Sequence, residues 1–194
     1  MRTARVMRET EETRIKLELN LDGQGTGRVQ TGVGFLDHML VLMAKHGFLD
    51  LTVNCTGDLH VDDHHTVEDV GIVLGQAFQE TLGDKHGITR FATTFTPMDE
   101  ALTMLSIDIS GRPYLKFDVE IPTEKVGQFD TELVEEFFRA FVNHGKVTLH
   151  IKLLHGTNSH HIIESIFKGF GRVLDEATTH DDRIAGVRSS KGIL

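Results

Sequence analysis

His64-His65-Thr66-Val67-Glu68-Asp69 opens a segment of helical periodicity, and the same pattern returns at His160-His161-Ile162-Ile163-Glu164-Ser165. Positions three and four apart share one face of a helix, so the glutamate of each copy is expected beneath both of its histidines. Imidazole and carboxylate are ligands that Mn, Fe, Co and Zn accept. Paired histidines at a helix start can also be capping or solvated residues, but a second copy at the same point of a repeated unit favours a metal site.

The residues that precede the two motifs also repeat. In each half a helical pattern is followed by a strand-like segment and then by the motif, over 34–47 and 49–53 in the first half and over 129–145 and 146–154 in the second. The sequence therefore predicts an α+β fold of two tandem repeated half-domains, each a mixed β-sheet backed by two helices. We expect the halves to be residues 1–90 and 91–194 and to form one compact domain.

Further strands are predicted where β-forming residues alternate or cluster, over residues 13–21, 88–96, 101–110 and 114–121. Pro97, Gly111-Arg112-Pro113 and Pro122 are expected to interrupt or end these strands. The two motif helices are expected to run from His64 to near Gly83 and from His160 to about Thr179.

Composition restricts the classes of protein to which the chain can belong. Hydrophobic residues make up 39% and charged residues 25% of the sequence, as in soluble globular proteins, and no apolar run is long enough for a membrane span. The formal net charge of -9 argues against a nucleic-acid partner, because polyanion binding normally uses a basic face. Cys55 is the single cysteine and the N-terminus lacks a signal-peptide core, so we expect a cytoplasmic protein.

Alignment of the two halves identifies additional candidate ligands. Setting His46-Gly47 on His144-Gly145 places Glu136 opposite His38, so these two residues would be equivalent ligands in a pseudo-twofold arrangement. The candidate metal ligands are then His38, His64, His65, Glu68, Glu136, His160, His161 and Glu164. They are sufficient for two ions with open positions for substrate, which is typical of catalytic rather than structural sites.

Arginines and the C-terminal tail are candidates for binding an anion. Arg90 and Arg112 lie at strand edges, where an ordinary surface ion pair is an alternative role. The tail contains Ser189, Ser190 and Lys191 next to a glycine, and it could close over an anion or simply be disordered. If it closes, the two guanidinium groups would supply planar donors for phosphate.

The sequence resembles the imidazoleglycerol-phosphate dehydratases of histidine biosynthesis. The resemblance covers nearly the whole chain and is carried by Arg8-Glu9-Thr10-Glu11-Glu12-Thr13, Gly34-Phe35-Leu36-Asp37-His38-Met39-Leu40, the first histidine motif, Pro97-Met98-Asp99-Glu100-Ala101-Leu102, Ser110-Gly111-Arg112-Pro113-Tyr114, the second motif with Phe167-Lys168, and Ser189-Ser190-Lys191-Gly192. It implies a fold like domain 2 of ribosomal protein S5. It also implies dehydration of D-erythro-imidazole-glycerol phosphate to imidazole-acetol phosphate, with two Mn²⁺ ions per active site.

The resemblance further implies roles for individual residues. One ion would be held by His38, His65, His160 and Glu164, and the other by His64, Glu68 and His161. Glu12 would bind substrate and act as the general acid and base, and the phosphate would be held by Arg90, Arg112, Ser189, Ser190 and Lys191. Active sites would lie between subunits of an octahedral 24-mer. Glu136 departs from the family pattern, because many relatives have a histidine at that position.

Two other functional classes remain open from the sequence. A dinuclear metallohydrolase would also use two metals with bound water, and release of phosphate would distinguish it from a dehydratase. A metal-binding or storage protein without catalytic activity would be unaffected by the substitution Glu12→Gln, whereas a dehydratase would lose turnover and keep its metal.

Overall fold

The computed structural model describes residues 1–194, and its secondary structure repeats along the chain. The first half contains β1 (Thr3–Glu9), β2 (Thr13–Asn20), β3 (Gly27–Gln30), α1 (Gly34–His46), β4 (Asp50–Gly57) and α2 (His64–Leu82). The second half contains β5 (Phe91–Met98), β6 (Ala101–Asp108), β7 (Tyr114–Asp118), β8 (Lys125–Val126), β9 (Phe129–Asp130), α3 (Leu133–Gly145), β10 (Thr148–His155) and α4 (Ser159–Thr178). The short β8–β9 hairpin has no counterpart in the first half.

The two four-stranded sheets have the same topology. The strand order is β1-β2-β4-β3 in the first sheet and β5-β6-β10-β7 in the second. In this spatial order, the first three strands of each sheet pair antiparallel. The last strand, β3 or β7, pairs parallel with its neighbour, β4 or β10. The predicted α+β class, with a mixed sheet and two helices in each half, is therefore confirmed.

The four helices form a layer between the two sheets. α1 and α2 pack on the first sheet, α3 and α4 pack on the second, and the pairs meet as α1 against α4 and α2 against α3. The strands turn alternate residues toward this layer: Ile15, Leu17 and Leu19 of β2 are at most 2% exposed. None of the helices combines the length and the apolar character that crossing a bilayer requires. Buried residues of both halves join in one continuous hydrophobic core.

Glycines allow the helices of the two halves to approach at backbone distance. A Cβ atom on Gly75 of α2 would lie 2.6 Å from the carbonyl oxygen of Phe141 and 2.9 Å from the amide nitrogen of Gly145, both in α3. A Cβ atom on Gly171 of α4 would likewise overlap the carbonyl oxygen of Met43 in α1. The two contacts are equivalent in the repeat, so the same steric requirement governs both helix pairs.

Phenylalanine rings fill the space between the helices around these contacts. Phe170 of α4 meets Phe138 and Phe141 of α3 edge to face, with centroids 5.0 Å and 4.9 Å apart. Phe78 of α2 lies 5.5 Å from Phe141. Each such aromatic pair contributes about 0.5–1.5 kcal/mol beyond the burial of its area. The cluster thus joins α2 of the first half to both helices of the second.

Some boundaries differ from those that the sequence predicts. Pro97 is expected to interrupt a strand, but it lies inside β5 and pairs with Leu102 of β6. β5 is at the edge of its sheet, where a residue without an N–H group can be accommodated. The helix expected from Phe129 begins at Leu133 instead, because Phe129–Asp130 forms β9.

β1 and β3 are strands that the hydrophobic pattern does not predict. Ala4 is the only residue of β1 in the core, and β3 has four residues of which none is fully buried. Both strands lie at sheet edges, where a strand needs few apolar side chains because it packs against fewer neighbours. The local sequence therefore gives little indication of these two strands.

Replacement of Gly171 by alanine tests the helix contact. Alanine normally stabilises a helix relative to glycine, but here its methyl group would overlap a carbonyl oxygen of α1. We expect Gly171→Ala to lower the free energy of unfolding by about 1–3 kcal/mol, measured by urea denaturation, and Gly75→Ala to do the same. Gly34→Ala is the control, since a Cβ atom there would meet nothing within 4 Å. Stabilisation by Gly171→Ala would contradict this interpretation of the helix packing.

Candidate metal centre

Helices from the two halves bring three potential metal ligands together. α1 carries His38, and α4 carries His160 and Glu164. Glu164 Oε2 lies 3.1 Å from His160 Nε2 and 4.0 Å from His38 Nε2. Ligand atoms of the three residues all lie within 4.8 Å of one another. This His38–His160–Glu164 cluster therefore combines the second motif with a histidine from the other half of the chain.

Glu164 is buried although it is a carboxylate, with only 7% of the residue exposed. Its Oε1 pairs with Lys168 Nζ at 2.5 Å, which leaves Oε2 for the two imidazoles. Burial alone would raise the pKa of Glu164, but Lys168 and His160 outweigh that effect and hold the pKa below its usual value. Glu164 is therefore ionised at neutral pH, as a metal ligand must be.

A cavity of about 640 Å³ opens beside the cluster. Its walls include His38, His160, Asp63 and the β8–β9 hairpin. Phe35 meets the ring of His160 edge-on, with centroids 5.3 Å apart, and packs on Phe129 of β9 at 5.1 Å. These aromatic contacts restrict rotation of the His160 imidazole and give the cavity one apolar side.

The first motif, at the start of α2, is more open. His64 Nε2 lies 4.0 Å from Glu68 Oε2, and the two side chains are 44% and 46% exposed. Asp62 accepts a hydrogen bond from the backbone N–H of His64 at 2.8 Å and so anchors the first turn of the helix. In the repeat this pair corresponds to His160 and Glu164 of α4.

Glu136 lies half-buried on α3 and is the predicted counterpart of His38. α3 packs on α2 as α1 packs on α4, so the helices that carry the two sets of residues are arranged alike. Glu136, His64 and Glu68 nevertheless do not form a second group of ligand atoms at metal-binding distance. The two sides of the repeat are therefore unequal within one chain.

His65, the second histidine of the first motif, contacts carboxylates from outside its helix. Its Nδ1 lies 2.9 Å from Asp58 Oδ2, and its Nε2 lies 3.6 Å from Glu12 Oε1. The hydrogen bond with Asp58 raises the pKa of His65. The backbone N–H of Asp58 also donates to the carbonyl oxygen of Glu12 at 3.1 Å. The predicted acid and base therefore lies next to a predicted metal ligand.

His161, the second histidine of the other motif, also contacts carboxylates from outside its helix. Its Nδ1 lies 2.7 Å from Glu100 Oε2, and its Nε2 lies 3.8 Å from Asp99 Oδ2, both in the β5–β6 turn. The hydrogen bonds from His161 and from the backbone N–H of Asn158 lower the pKa of Glu100 to about 2. The same contact with Glu100 raises the pKa of His161.

Arg90, a predicted phosphate ligand, is held in an ion pair. Its Nε donates to Asp108 Oδ1 at 2.7 Å, and its Nη1 donates to the carbonyl oxygen of Arg188 at 2.8 Å. Arg188 in turn donates to the carbonyl oxygen of Thr89 at 2.9 Å. These bonds fix the start of the C-terminal tail beside Arg90.

The rest of the tail carries Ser189, Ser190 and Lys191 toward Arg112. The backbone N–H of Lys191 donates to Ser189 Oγ at 3.2 Å, which forms a tight turn. The tail ends beside Gly111, where a Cβ atom would lie 3.1 Å from the terminal carbonyl carbon. The structure thus brings the tail to Arg90 and ends it beside Gly111, the neighbour of Arg112, but no hydrogen bond or ion pair within the chain connects this group to the His38–His160–Glu164 cluster.

The donor atoms of the cluster suit a divalent cation of intermediate softness. Two imidazole nitrogens and one ionised carboxylate oxygen are acceptable to Mn, Fe, Co or Zn, and three protein ligands leave coordination positions open. The buried, ionised Glu164 supplies the negative charge that a divalent cation requires. The residues present therefore fit a metal ion.

Three residues that hydrogen bond to predicted ligands were not predicted as site residues from the sequence. They are Asp58, Glu100 and Lys168, which hydrogen bond to His65, His161 and Glu164, respectively. Lys168 has a sequence signal, because it lies four positions after Glu164 on the same helix face. Asp58 lies in the loop just before α2 and Glu100 lies 61 residues before His161, so neither is on the motif helix and spacing within the motifs does not reveal them.

Comparison with known proteins identifies the family. The family model described as imidazoleglycerol-phosphate dehydratase matches residues 31–174. The imidazoleglycerol-phosphate dehydratase of Oceanobacillus iheyensis is 59% identical over 194 residues and covers 100% of both chains.

Solved structures agree with this result. The crystal structure of imidazoleglycerol-phosphate dehydratase from Staphylococcus aureus subsp. aureus N315 is 46% identical, covers 92% of this chain and 99% of that chain, and has a TM-score of 0.84. The crystal structure of the Pyrococcus furiosus protein in complex with (S)-C348 is 39% identical and also has a TM-score of 0.84. It covers 97% of this chain and 100% of that chain. On sequence and fold together, the chain belongs to the imidazoleglycerol-phosphate dehydratase family, a family of carbon-oxygen hydro-lyases.

Proposed function

We propose that the protein catalyses the metal-dependent dehydration of D-erythro-imidazole-glycerol phosphate to imidazole-acetol phosphate, a step of L-histidine biosynthesis. Membership of the dehydratase family supports the reaction. The single observation that carries the metal dependence is the His38–His160–Glu164 cluster, in which a buried, ionised carboxylate faces two imidazoles. The cavity beside the cluster would receive the substrate.

We propose two Mn²⁺ ions per active site, bound by the histidines and glutamates of both motifs. One ion would take His38, His65, His160 and Glu164, and the other His64, Glu68 and His161, with Glu136 as a further candidate. Within one chain His65 contacts Asp58 and Glu12 rather than the cluster. Its place in the first set would therefore be filled from a neighbouring subunit, in an octahedral 24-mer with active sites between subunits.

Dehydration removes one proton from carbon and one hydroxyl group, which leaves as water once it is protonated. A bound divalent cation would polarise the imidazole ring of the substrate and orient it. Glu12 would accept the proton from carbon and return a proton later in the reaction. Its carboxylate is 52% exposed and 3.6 Å from His65, so it lies at the open side of a predicted ligand.

We propose that Arg90, Arg112, Ser189, Ser190 and Lys191 bind the phosphate group. Guanidinium groups, hydroxyls and an amine are suitable donors for phosphate oxygens, and holding the phosphate would fix the position of the reacting carbons. Arg90 already pairs with Asp108, so a phosphate group would either bind Arg90 together with Asp108 or replace Asp108 as its partner. The contacts between Arg90, Arg188 and the tail support this grouping.

We take residues 1–90 and 91–194 as the two copies of the repeated unit. A cytoplasmic location is supported by the single cysteine, Cys55, which cannot form an intrachain disulfide. Burial raises the pKa of the Cys55 thiol to about 11, so it would not serve as a thiolate ligand.

The proposed reaction is tested with purified protein freed of metal and then loaded with Mn²⁺, Fe²⁺ or Zn²⁺. We expect imidazole-acetol phosphate to form from D-erythro-imidazole-glycerol phosphate after loading with Mn²⁺ and not before, because the ring must be held by a cation. The product is measured by chromatography. Release of inorganic phosphate would instead indicate a metallohydrolase, and metal binding without turnover would indicate a storage protein.

The substitution Glu12→Gln tests the role of the carboxylate. It keeps the shape of the side chain and removes its ability to accept a proton, so we expect kcat to fall by about 10²–10⁴-fold. The Mn²⁺ content, measured by atomic emission, should not change. Glu11→Gln alters the adjacent exposed acid and serves as the control. Equal activity of the two variants would show that Glu12 does not transfer the proton.

A further inference from the structure

The second histidine of each motif is bound through Nδ1 by a carboxylate from outside its own helix. His65 Nδ1 lies 2.9 Å from Asp58 Oδ2, in the loop between β4 and α2. His161 Nδ1 lies 2.7 Å from Glu100 Oε2, in the turn between β5 and β6. The two carboxylates come from different places in the repeated unit, so the repeat does not explain why both reach the same ring nitrogen.

An ionised carboxylate only accepts hydrogen bonds, so each of these contacts requires a proton on Nδ1. In a neutral imidazole the other nitrogen, Nε2, is then unprotonated and is the atom that can bind a metal. His38, His64 and His160 also face their neighbouring glutamates through Nε2. In the first histidine of each motif, Nε2 is therefore the nitrogen that faces the glutamate of the motif.

We propose that Glu100 and Asp58 are positioning residues that hold His161 and His65 in the Nδ1-protonated tautomer and so direct Nε2 toward metal. The proposal rests on the metal-binding role proposed above for these two histidines. A carboxylate behind a ligating histidine orients the ring and increases its basicity, and removing such a partner typically weakens metal binding about 10–100-fold.

Glu100 is held more firmly than its 38% side-chain exposure suggests. Its Oε1 accepts the backbone N–H groups of Asn158 at 2.7 Å and Thr157 at 3.2 Å, immediately before α4. Asn158 in turn caps α4, because its side-chain oxygen accepts the backbone N–H of His161 at 3.2 Å. One carboxylate thus joins the β5–β6 turn, the start of α4 and the imidazole ring.

These contacts determine how a glutamine at position 100 would be oriented. Its amide oxygen must take the place of Oε1, since only an oxygen can accept the two backbone N–H groups. Its NH₂ group would then face His161 Nδ1 and donate to it, which forces the proton onto Nε2. Glu100→Gln should therefore reverse the tautomer of His161 and block the atom that binds metal.

Asp58 lacks this second restraint. Its Oδ1 is buried without a hydrogen-bond partner in the chain, so an asparagine at this position could turn its amide oxygen toward His65. Asp58→Asn would then keep the tautomer and remove only the charge. The substitution should therefore weaken metal binding less than Glu100→Gln does, although both replace a carboxylate with its amide.

The test measures the tautomer in metal-free protein and the affinity for Mn²⁺ separately. Nitrogen-15 solid-state spectra of histidine-labelled protein, recorded above about pH 9 where imidazoles are neutral, should show one histidine changing from the Nδ1-protonated to the Nε2-protonated form in Glu100→Gln. Titration calorimetry should show one class of Mn²⁺ site weakened about 10–100-fold. Asp50→Asn is the matched control, because Asp50 also accepts two backbone N–H groups, from Gln24 and Thr26, far from the histidines.

Each outcome decides the proposal. It is overturned if the Glu100→Gln spectrum equals that of the wild type, or if Asp58→Asn weakens Mn²⁺ binding as much as Glu100→Gln. Circular dichroism and sedimentation establish that each variant is folded and assembled, and Asp58→Asn provides a second measurement if Glu100→Gln does not fold. Wild-type protein that binds no Mn²⁺ would refute the proposed function, whereas the tautomer measurement would still test the positioning role.

Discussion

The close approach of helix backbones across the two halves is the constraint on which the rest of the structure depends. The end of α1 crosses α4 where Gly47 meets Gly171. Nearer the N-terminus of both helices, His38 of α1 faces Glu164 of α4. Any side chain at the crossing would separate the axes and move the imidazole away from the carboxylate. The geometry of the candidate metal centre is thus a consequence of packing between halves and not of either motif alone.

Much of the fold follows from the sequence because the repeat appears in two independent patterns, the histidine motifs and the hydrophobic periodicity. The starts of α2 and α4 at His64 and Ser159 lie within one residue of their predicted positions, since charged and polar residues precede a long amphipathic segment. Pro97 was less predictable, because a proline is excluded from central strands but not from edges. Whether a strand lies at an edge is a property of the sheet and is not visible in the local sequence.

The candidate site is predictable to a similar extent. Helical spacing correctly indicates that His160 lies against Glu164, since both are on one helix face. The same rule does not anticipate that Glu100 binds His161 through Nδ1, because Glu100 lies 61 residues away along the chain, in the β5–β6 turn. Spacing within a helix describes neighbours along one element, whereas the ring orientation depends on loops that are distant in the chain.

The β8–β9 hairpin makes the second half of the fold different from the first. It adds Phe129 and a glycine turn to one side of the cavity at His38 and His160, and the first half has no such element. The hairpin lies outside the helix crossings, and only Phe129, through its contact with Phe35, supports an imidazole. The rest of the hairpin can therefore change in length and composition without moving the candidate ligands. The shape of the cavity and the position of the candidate ligands are therefore set by separable parts of the chain, so the cavity wall can change while the helix crossings that place the ligands are kept.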